Sequence, residues 1–309
     1  MAEMLYARDV YGETLVGLGK QKLDLVVCDA DLSGSTRTGL FAREFPQRFF
    51  NFGVAEQNMM ATAAGLASCG QVVFVSTFAM FASGRAWDQV RNTICYGNLN
   101  VKIVATHSGI TVGPDGASHQ ALEDIAILRA IPNMKIIIPC DGPETREAVL
   151  TAFKTPGPFY IRLGRAKVPT IEGKSPFELG KGYVLKEGSD VVIVAAGMMV
   201  QEALKAQEEL LKKKISAKVI NMHTIKPLDE ALILETAKKT KGFVVCEEHS
   251  VIGGLASAIA EFLSEKYPTK ILRIGVRNRF GQSGDEASLL REYHLTYDDI
   301  VAAAQSLVA

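Results

Sequence analysis

The chain has 309 residues, of which 48% are hydrophobic and 22% charged, and its 34 basic residues balance its 34 acidic ones. This length predicts two domains with sizeable cores. The balanced charge excludes a bulk electrostatic affinity for nucleic acid or a membrane surface, although a local cluster of arginine and histidine could still bind an anionic substrate. No apolar stretch approaches the roughly 18 residues that a membrane helix needs, and the N-terminus lacks a signal-peptide pattern.

The five cysteines are widely spaced, odd in number and without a C-x-x-C pair. We expect them to be buried small apolar residues in a reducing compartment. The sequence therefore predicts a soluble, cytoplasmic protein.

In the first half of the chain, short β-branched runs alternate with longer helical stretches, which is typical of an α/β protein with a parallel sheet. The predicted helices cover residues 4–20, 56–68, 85–93, 121–131 and 143–154, and the predicted strands cover residues 25–28, 72–76, 102–106, 135–138 and 159–163. A first domain over residues 1–168 follows from this pattern.

Residues 169–189 are rich in glycine and proline without sustained periodicity, and they predict a linker. Beyond it, the predicted strands cover residues 190–196, 217–222, 242–246 and 271–275, and the predicted helices cover residues 200–214, 229–239 and 254–266. The sequence thus predicts a second, smaller doubly wound domain over residues 190–309.

Glu56 begins the predicted helix over residues 56–68, in which the following residues are mostly small. Small residues let another backbone approach closely, which suits a tight interface or the wall of a cofactor site. An acidic residue in the first turn also interacts favourably with the helix dipole, and the spacing alone favours this simpler role.

Phe78 and Phe81 lie three residues apart after a short apolar strand. Aromatic residues in such a place usually belong to the core, although a flat heteroaromatic ring is also well held by stacking and edge contacts.

His107 and His119 flank Asp115 in a glycine-rich segment, and they are two of only five histidines in the chain. A zinc site is one alternative, but structural zinc sites need four ligands and no Cys/His pair of suitable spacing is present. The other alternative is that both are loop histidines whose hydrogen bonds are satisfied within the fold. Their position after a strand favours a site at the carboxyl edge of a sheet.

Arg8, Ser35 and Arg165 form a third group. Surface arginines are mostly solvated, but guanidinium groups together with a hydroxyl are suited to a terminal phosphate. Asp29 and Asp31 have the spacing of a D-x-D pair, which could bind a metal ion.

These motifs resemble, in their order, the pyrimidine-binding domain of transketolase, a thiamine diphosphate enzyme. The resemblance rests on F-N-F-G-V-A-E-Q-N-M (residues 50–59), S-T-F-A-M-F (76–81), A-T-H-S-G (105–109) and G-P-D-G-A-S-H-Q (113–120). It extends over essentially the whole chain but covers only the last two of the three transketolase domains. It implies two doubly wound α/β domains, the second being the transketolase C-terminal domain.

The resemblance implies a role for each motif. Glu56 would hydrogen-bond the cofactor's pyrimidine and promote the tautomer that removes the thiazolium C2 proton. Phe78 and Phe81 would seat the pyrimidine ring, while Gly84 stands where the best-known members have tyrosine. Asp31 would lie near the cofactor and help to orient it.

By the same resemblance, His107, Asp115 and His119 would contact the hydroxyl and carbonyl oxygens of the donor sugar. Arg8, Ser35 and Arg165 would bind the sugar phosphate. Deoxyxylulose phosphate synthases lack a histidine at the position of His107, and beta subunits of 2-oxo acid dehydrogenases lack the D-G-x-x-H loop. His107 therefore favours ketol transfer over these two alternatives.

The family's G-D-G motif, which holds the diphosphate through a divalent metal, has no counterpart here. The only Gly-Asp pair is Gly284-Asp285, near the end of the chain. We therefore expect a split transketolase of the pentose phosphate type. A separate N-terminal subunit would hold magnesium and the diphosphate, in a heterotetramer with two copies of each subunit.

The segment Glu247 to Leu255 resembles a structural part of the C-terminal domain, with a regulatory ion site as the alternative. A non-catalytic pseudo-subunit is the alternative for the whole chain. The retained motif residues argue against it, although fold resemblance alone could not exclude it.

Overall fold

The computed structural model describes residues 3–172 and 176–309. It confirms the α/β fold class, because helices alternate with the strands of two mostly parallel sheets, one in each half of the chain. In addition, β1 (Met4–Tyr6) pairs with β8 (Lys167–Pro169) in a separate two-stranded antiparallel ribbon.

The first sheet has seven strands in the order β12-β6-β7-β5-β4-β2-β3. Their bounds are β2 (Leu25–Asp29), β3 (Phe49–Asn51), β4 (Val72–Phe78), β5 (Val101–Ser108), β6 (Lys135–Ile137), β7 (Phe159–Gly164) and β12 (Thr224–Lys226). Every residue of β2, β4 and β5 is buried, as expected for central strands that are covered on both faces.

The helices of the first half are α1 (Ala7–Gln21), α2 (Ser33–Thr36), α3 (Gly39–Glu44), α4 (Glu56–Ser68), α5 (Asp124–Arg129) and α6 (Gly142–Lys154). Helix α6 begins with a side-chain cap, since the Asp141 carboxylate accepts a hydrogen bond from the backbone N–H of Glu144 at 2.9 Å. Residues 4–6, predicted to be helical, form β1 instead. Where the sequence predicts an α-helix over residues 85–93, the chain forms two π-helical turns, Phe81–Arg85 and Gln89–Cys95.

The second sheet has the order β14-β13-β10-β11-β9, in which only β9 is antiparallel to its neighbour. Its strands are β9 (Tyr183–Lys186), β10 (Val191–Ala195), β11 (Ala217–Asn221), β13 (Phe243–Ser250) and β14 (Ile271–Val276). The helices are α7 (Met199–Lys212), α8 (Glu230–Ala237), α9 (Leu255–Lys266), α10 (Glu286–Glu292) and α11 (Tyr297–Val308). Helix α11 starts with a capping box between Thr296 and Asp299.

The two halves of the chain are packed together. Strand β12, which follows the second sheet's β11 in sequence, pairs antiparallel with β6 of the first sheet. One apolar cluster also spans both halves, with Ile136 and Ile138 on one side and Ile220 and Met222 on the other. A shared apolar core of this kind favours a fixed relative placement of the halves.

Strand β9 lies within the stretch 169–189 for which the sequence predicts a linker. Three of its residues, Tyr183, Val184 and Lys186, pair with β11, so part of that stretch extends the second sheet. Gly173 of the predicted linker lies outside the described residues.

Four cysteines are buried, as expected, but Cys69 is exposed at the C-terminal end of α4, so the expectation was wrong for this residue. All five thiols are free. Among the helices that the structure describes, none combines the length and apolar character needed to cross a membrane.

Candidate active site

The predicted site residues gather at the carboxyl edge of the first sheet. Strands β7, β5, β4 and β2 are parallel neighbours, so their C-terminal ends meet there. Arg165 follows β7, His107 lies near the end of β5, Phe78 ends β4 and Asp31 follows β2. Ligands of open parallel sheets bind at this edge.

Four rings form a cluster at this edge. The Phe78 and His107 rings are stacked with centroids 3.9 Å apart, and the Phe78 and Phe81 rings are stacked at 6.0 Å. His119 stands edge-on to both phenylalanines, at 5.3 Å from Phe81 and 6.1 Å from Phe78. The structure thus joins two motifs that are separated by more than twenty residues in sequence.

His107 has an unusual backbone. Its φ of 55° lies in the left-handed region, and the β5–β7 register shifts between Ala105 and Ser108. Such bulges redirect side chains and cluster near active sites, and a strained φ at a residue other than glycine is typical of functional positions.

The hydrogen bonds of His107 define its tautomer. Arg8 Nη1 lies 3.3 Å from His107 Nε2, and because a guanidinium only donates, Nε2 accepts. The proton therefore resides on Nδ1, which donates to Thr106 Oγ1 at 2.9 Å. Burial, together with the charges of Arg8 and Arg165, lowers the pKa of His107 to about 3. The ring is neutral at physiological pH.

Arg8 and Arg165 place positive charge beside this ring. The Nε of Arg8 is buried and has no hydrogen-bond partner within the described ranges. Burial and the nearby charge of Arg37 lower the pKa of Arg8. Arg165 is held by a hydrogen bond from its Nη1 to the carbonyl oxygen of Val112 at 2.6 Å.

Arg37 is a third guanidinium near this group, and the sequence analysis missed it. Its Nε donates to Asp9 Oδ1 at 2.6 Å and its Nη1 to the Gly34 carbonyl at 3.1 Å. The turn around Arg37 packs closely on α1, because a β-carbon at Gly12 would lie 2.8 Å from the β-carbon of Arg37. Arg37 lies two residues after Ser35, and this proximity in sequence could have included it among the predicted phosphate-binding residues.

Among the described residues, three predicted site residues form no hydrogen bond with the rings of the cluster. The backbone N–H of Ser35 donates to the carbonyl of Leu32 at 2.8 Å. Asp31 is exposed and bonds Asn51 through its backbone N–H at 3.0 Å. Asp115 is also exposed. The roles of these three residues stay predictions.

The D-x-D metal pair finds no support. Asp29 is buried, and its carboxylate accepts hydrogen bonds from the hydroxyls of Thr36 and Thr38 and from the N–H of Leu32. Burial raises the pKa of Asp29, although these hydrogen bonds oppose the shift. Its oxygens are therefore already used within the loop.

Glu56 lies at the start of α4, with its carboxylate only 2% exposed. Both of its oxygens lie 3.1 Å from Nη1 of Arg85, a second residue that the sequence analysis missed. The Arg85 guanidinium also lies 4.6 Å from the centroid of the Phe81 ring. Arg85 ends a π-helical turn, a feature that is frequent at functional sites.

Comparison with protein families supplies an independent observation. The model of the transketolase pyrimidine-binding domain matches residues 3–170, and that of the transketolase C-terminal domain matches residues 180–300. The chain belongs to the transketolase family.

Relatives in this family include proteins described as sections or subunits of transketolases. The chain is 54% identical to a transketolase C-terminal section of Methanocaldococcus jannaschii, over 95% of this chain and 93% of the relative. It is 42% identical to a 6-deoxy-6-sulfo-D-fructose transketolase subunit of a Clostridium species, over 98% and 94% of the two chains. A solved structure of a split-gene transketolase, described as an inactive beta4 tetramer, is 50% identical and superposes with a TM-score of 0.90 over 99% of both chains.

Transketolase-family enzymes use thiamine diphosphate, and the described residues fit one part of it. The buried carboxylate of Glu56 can hydrogen-bond the polar edge of a pyrimidine, and the half-buried ring of Phe81 can contact its flat face. In the described ranges, no group of three or more His, Cys, Asp or Glu side chains could hold a metal ion.

The segment Glu247 to Leu255 forms hydrogen bonds within the fold, and its role stays a prediction. Glu247 caps α9 by accepting hydrogen bonds from the N–H groups of Leu255 at 2.7 Å and Ala256 at 3.0 Å. His249 is fully buried. Its Nδ1 donates to the carbonyl of Ser250 at 2.7 Å, and its Nε2 accepts from the N–H of Ala126 at 3.4 Å.

Proposed function

We propose that the chain is the C-terminal subunit of a split transketolase that transfers a two-carbon ketol unit from a ketose phosphate to an aldose phosphate. The observation that carries the proposal is the buried Glu56 carboxylate beside Phe81, on the same sheet edge as the neutral His107. A carboxylate, an aromatic face and a neutral imidazole are the groups that binding a pyrimidine beside a sugar requires.

Glu56 and the two phenylalanines would hold the pyrimidine. Thiamine diphosphate supplies, when bound, a thiazolium carbon that becomes a nucleophile toward the carbonyl of the ketose. Glu56 would hold a proton at its carboxylate oxygen and share it with a ring nitrogen of the pyrimidine, in a place from which bulk water is largely excluded. Phe81 would support the ring by stacking or edge contact.

The histidines would act on the oxygens of the donor sugar. His107 is neutral and its Nε2 is an acceptor, so it can receive a hydrogen bond from a sugar hydroxyl once Arg8 shifts toward an anion. His119 stands edge-on at the Phe81 ring, and Asp115 is four residues before it on an exposed turn. These three groups would orient the hydroxyls and carry protons between them.

The arginines would bind the terminal phosphate. Arg8, Arg165 and the hydroxyl of Ser35 combine positive charge with hydrogen-bond donors, which is the donor set that a phosphate dianion prefers. The Nε of Arg8, which is buried and has no hydrogen-bond partner in the described part of the chain, supports this role, because a buried donor without an acceptor is costly unless a ligand satisfies it.

A separate N-terminal subunit would complete the site. It would supply the ligands for the diphosphate and a divalent metal, with magnesium expected, in a heterotetramer of two copies of each subunit. The relative described as an inactive beta4 tetramer supports the idea that such chains do not act alone. The free thiols support a cytoplasmic location.

The test is a ketol-transfer assay with thiamine diphosphate, magnesium, xylulose 5-phosphate and ribose 5-phosphate. The chain is assayed alone and with the N-terminal subunit purified from the same source. Activity only in the mixture is expected. A parallel arm with 6-deoxy-6-sulfofructose examines the substrate named for the Clostridium relative, and an arm with pyruvate examines the deoxyxylulose phosphate synthase alternative.

The deciding variant is Glu56→Gln, which keeps the size of the side chain and still lets the subunits assemble. We expect its turnover in the mixture to fall by at least about 100-fold, the usual scale for a lost proton-transfer group. Glu44→Gln, at the exposed C-terminal end of α3, is the matched control. Full activity of Glu56→Gln would refute the mechanism, and an assembled but inactive wild-type mixture with every substrate would favour a non-catalytic subunit.

A further inference from the structure

The segment that carries Asp115 and His119, here called the substrate loop (residues 110–120), has little regular structure of its own. It contains two short 3₁₀ turns that are broken at Gly113, where φ is 79° and ψ is −118°. A loop of this kind is placed only as accurately as its anchors allow.

The first anchor is Glu248, which is buried in β13 of the second sheet. Its Oε1 accepts hydrogen bonds from the backbone N–H of Thr111 at 2.7 Å and from the Thr111 hydroxyl at 2.8 Å. Arg162 fixes this part of β13 by donating from Nη2 to the Glu248 carbonyl at 3.1 Å. A β-carbon on Gly109 would overlap the Glu248 carboxylate, so the approach requires glycine.

The second anchor is Gln120, at the other end of the loop. Its Nε2 donates to the carbonyl of Ile110 at 3.0 Å, which closes the loop on itself. The same Nε2 donates to the carbonyl of Gln282 at 2.9 Å, which ties the loop to the second half of the chain. Gln120 is buried, and a β-carbon on Gly281 would overlap its Oε1.

Between the two anchors, the substrate loop packs against residues 281–284, here called the clamp segment. A β-carbon on Gly116 would lie 2.6 Å from the Ser283 hydroxyl, and one on Gly113 would lie 3.2 Å from the Gly284 carbonyl. The approach is closest beside Asp115 and three residues before His119. The second half of the chain thus contacts the substrate loop at its start, middle and end.

We propose that Gln120 and Glu248 are positioning residues through which the second domain sets the placement of Asp115 and His119 for the donor sugar. This proposal rests on the proposed function. Neither residue would touch the reacting atoms. It gives the C-terminal domain a part in catalysis, since displacements of about 1 Å in such groups can cost up to about 100-fold in rate.

The test uses Gln120→Met, which keeps the length of the side chain and removes both hydrogen bonds. Gln201→Met is the matched control, because Gln201 also donates to a backbone carbonyl, that of Pro169 at 2.8 Å, away from the substrate loop. In the reconstituted enzyme we expect kcat/KM for the ketose donor to fall about tenfold or more in Gln120→Met. The thiamine diphosphate concentration for half-maximal activity should stay within about twofold, since Glu56 and Phe81 are outside the loop.

A pair of variants at Glu248 separates positioning from a general structural role. Glu248→Gln keeps an oxygen that can accept from Thr111 and should retain nearly normal kinetics, whereas Glu248→Met should reproduce the defect of Gln120→Met. Equal defects in Glu248→Gln and Glu248→Met, or the same loss in Gln201→Met, would overturn the assignment.

Amide hydrogen exchange of the chain alone tests the anchors independently of activity. Residues 110–120 should exchange faster in Gln120→Met than in the wild type and Gln201→Met. Unchanged exchange together with unchanged donor kinetics would overturn the proposal. If the wild-type mixture has no ketol-transfer activity, the proposed function fails, and the exchange experiment still decides whether the second domain holds the loop.

Discussion

Arg85 places its Nη1 3.1 Å from each carboxylate oxygen of Glu56 while its guanidinium lies over the ring of Phe81. Its side chain is 48% exposed, whereas that of Glu56 is 2% exposed. Arg85 therefore contacts two of the three groups that are proposed to hold the pyrimidine. A pyrimidine that hydrogen-bonds Glu56 would compete with Arg85 for the Glu56 carboxylate.

Replacing Arg85 with glutamine should strengthen cofactor binding. Because Arg85 is half exposed, solvent screening limits the ion pair to at most about 1 kcal/mol, which corresponds to at most about a fivefold lower dissociation constant for thiamine diphosphate. The measurement is a cofactor titration of the reconstituted enzyme, followed by activity and by the fluorescence of Trp87, the single tryptophan of the chain. Arg91→Gln, exposed on the next π-helical turn, is the control. Weaker binding by Arg85→Gln would show that Arg85 supports the cofactor instead of covering Glu56.

The sequence predicts the central strands and long helices well because their signals are local. Strands β4 and β5 are rich in β-branched apolar residues, and α4 has the predicted bounds. The three-residue strands β3 and β12 are too short to show periodicity. In addition, β12 pairs with a strand nearly ninety residues earlier in the chain, and a local pattern contains no information about such pairing.

The candidate site also contains residues that the sequence predicts and residues that it does not. His107, Phe78 and Glu56 lie in compact motifs that a resemblance can identify. Arg85 and Arg37 act through ion pairs with residues 29 and 28 positions away, and these contacts exist only after the chain folds. Each is an ordinary arginine in sequence, so its partner could not be predicted.

Replacing Arg37 with glutamine should weaken the binding of phosphorylated sugars. The loss of one guanidinium from a group that includes Arg8 and Arg165 should raise KM for the ketose phosphate about tenfold, the scale of one charge-assisted hydrogen bond, with little change in kcat. Steady-state kinetics with a phosphorylated donor and its unphosphorylated analogue provide the measurement. Arg43→Gln, exposed in α3, is the control. An equal effect on both donors would contradict a role in phosphate binding.

Replacing Phe81 with leucine should weaken cofactor binding more than donor binding. The Phe81 ring stacks on Phe78 and is only partly buried, whereas Phe78 also stacks on His107. The loss of one aromatic contact of about 0.5–1.5 kcal/mol predicts roughly a 2- to 12-fold higher cofactor requirement. A thiamine diphosphate titration of the reconstituted enzyme measures this requirement, and Tyr96→Leu, at an exposed position, is the control. A cofactor requirement equal to that of the wild type would remove Phe81 from the pyrimidine site.

His107 should make the folded chain less stable as the pH falls. Its folded pKa of about 3 lies below the ordinary value of 6.5, so below pH 6.5 the unfolded chain binds a proton that the folded chain does not. The free energy of unfolding should therefore decrease with falling pH in this range, by up to about 1.4 kcal/mol per pH unit from this group.

The measurement is urea unfolding of the wild type and His107→Asn between about pH 5 and 6.5, where the variant should show a shallower dependence of stability on pH. His294→Asn is the control, because the His294 side chain is 78% exposed. Nitrogen chemical shifts of the imidazole give a direct second measurement, and they should report a neutral ring protonated at Nδ1 over the same range. A ring that takes up a proton near pH 6.5 would contradict both the buried environment and the acceptor role of Nε2 toward Arg8.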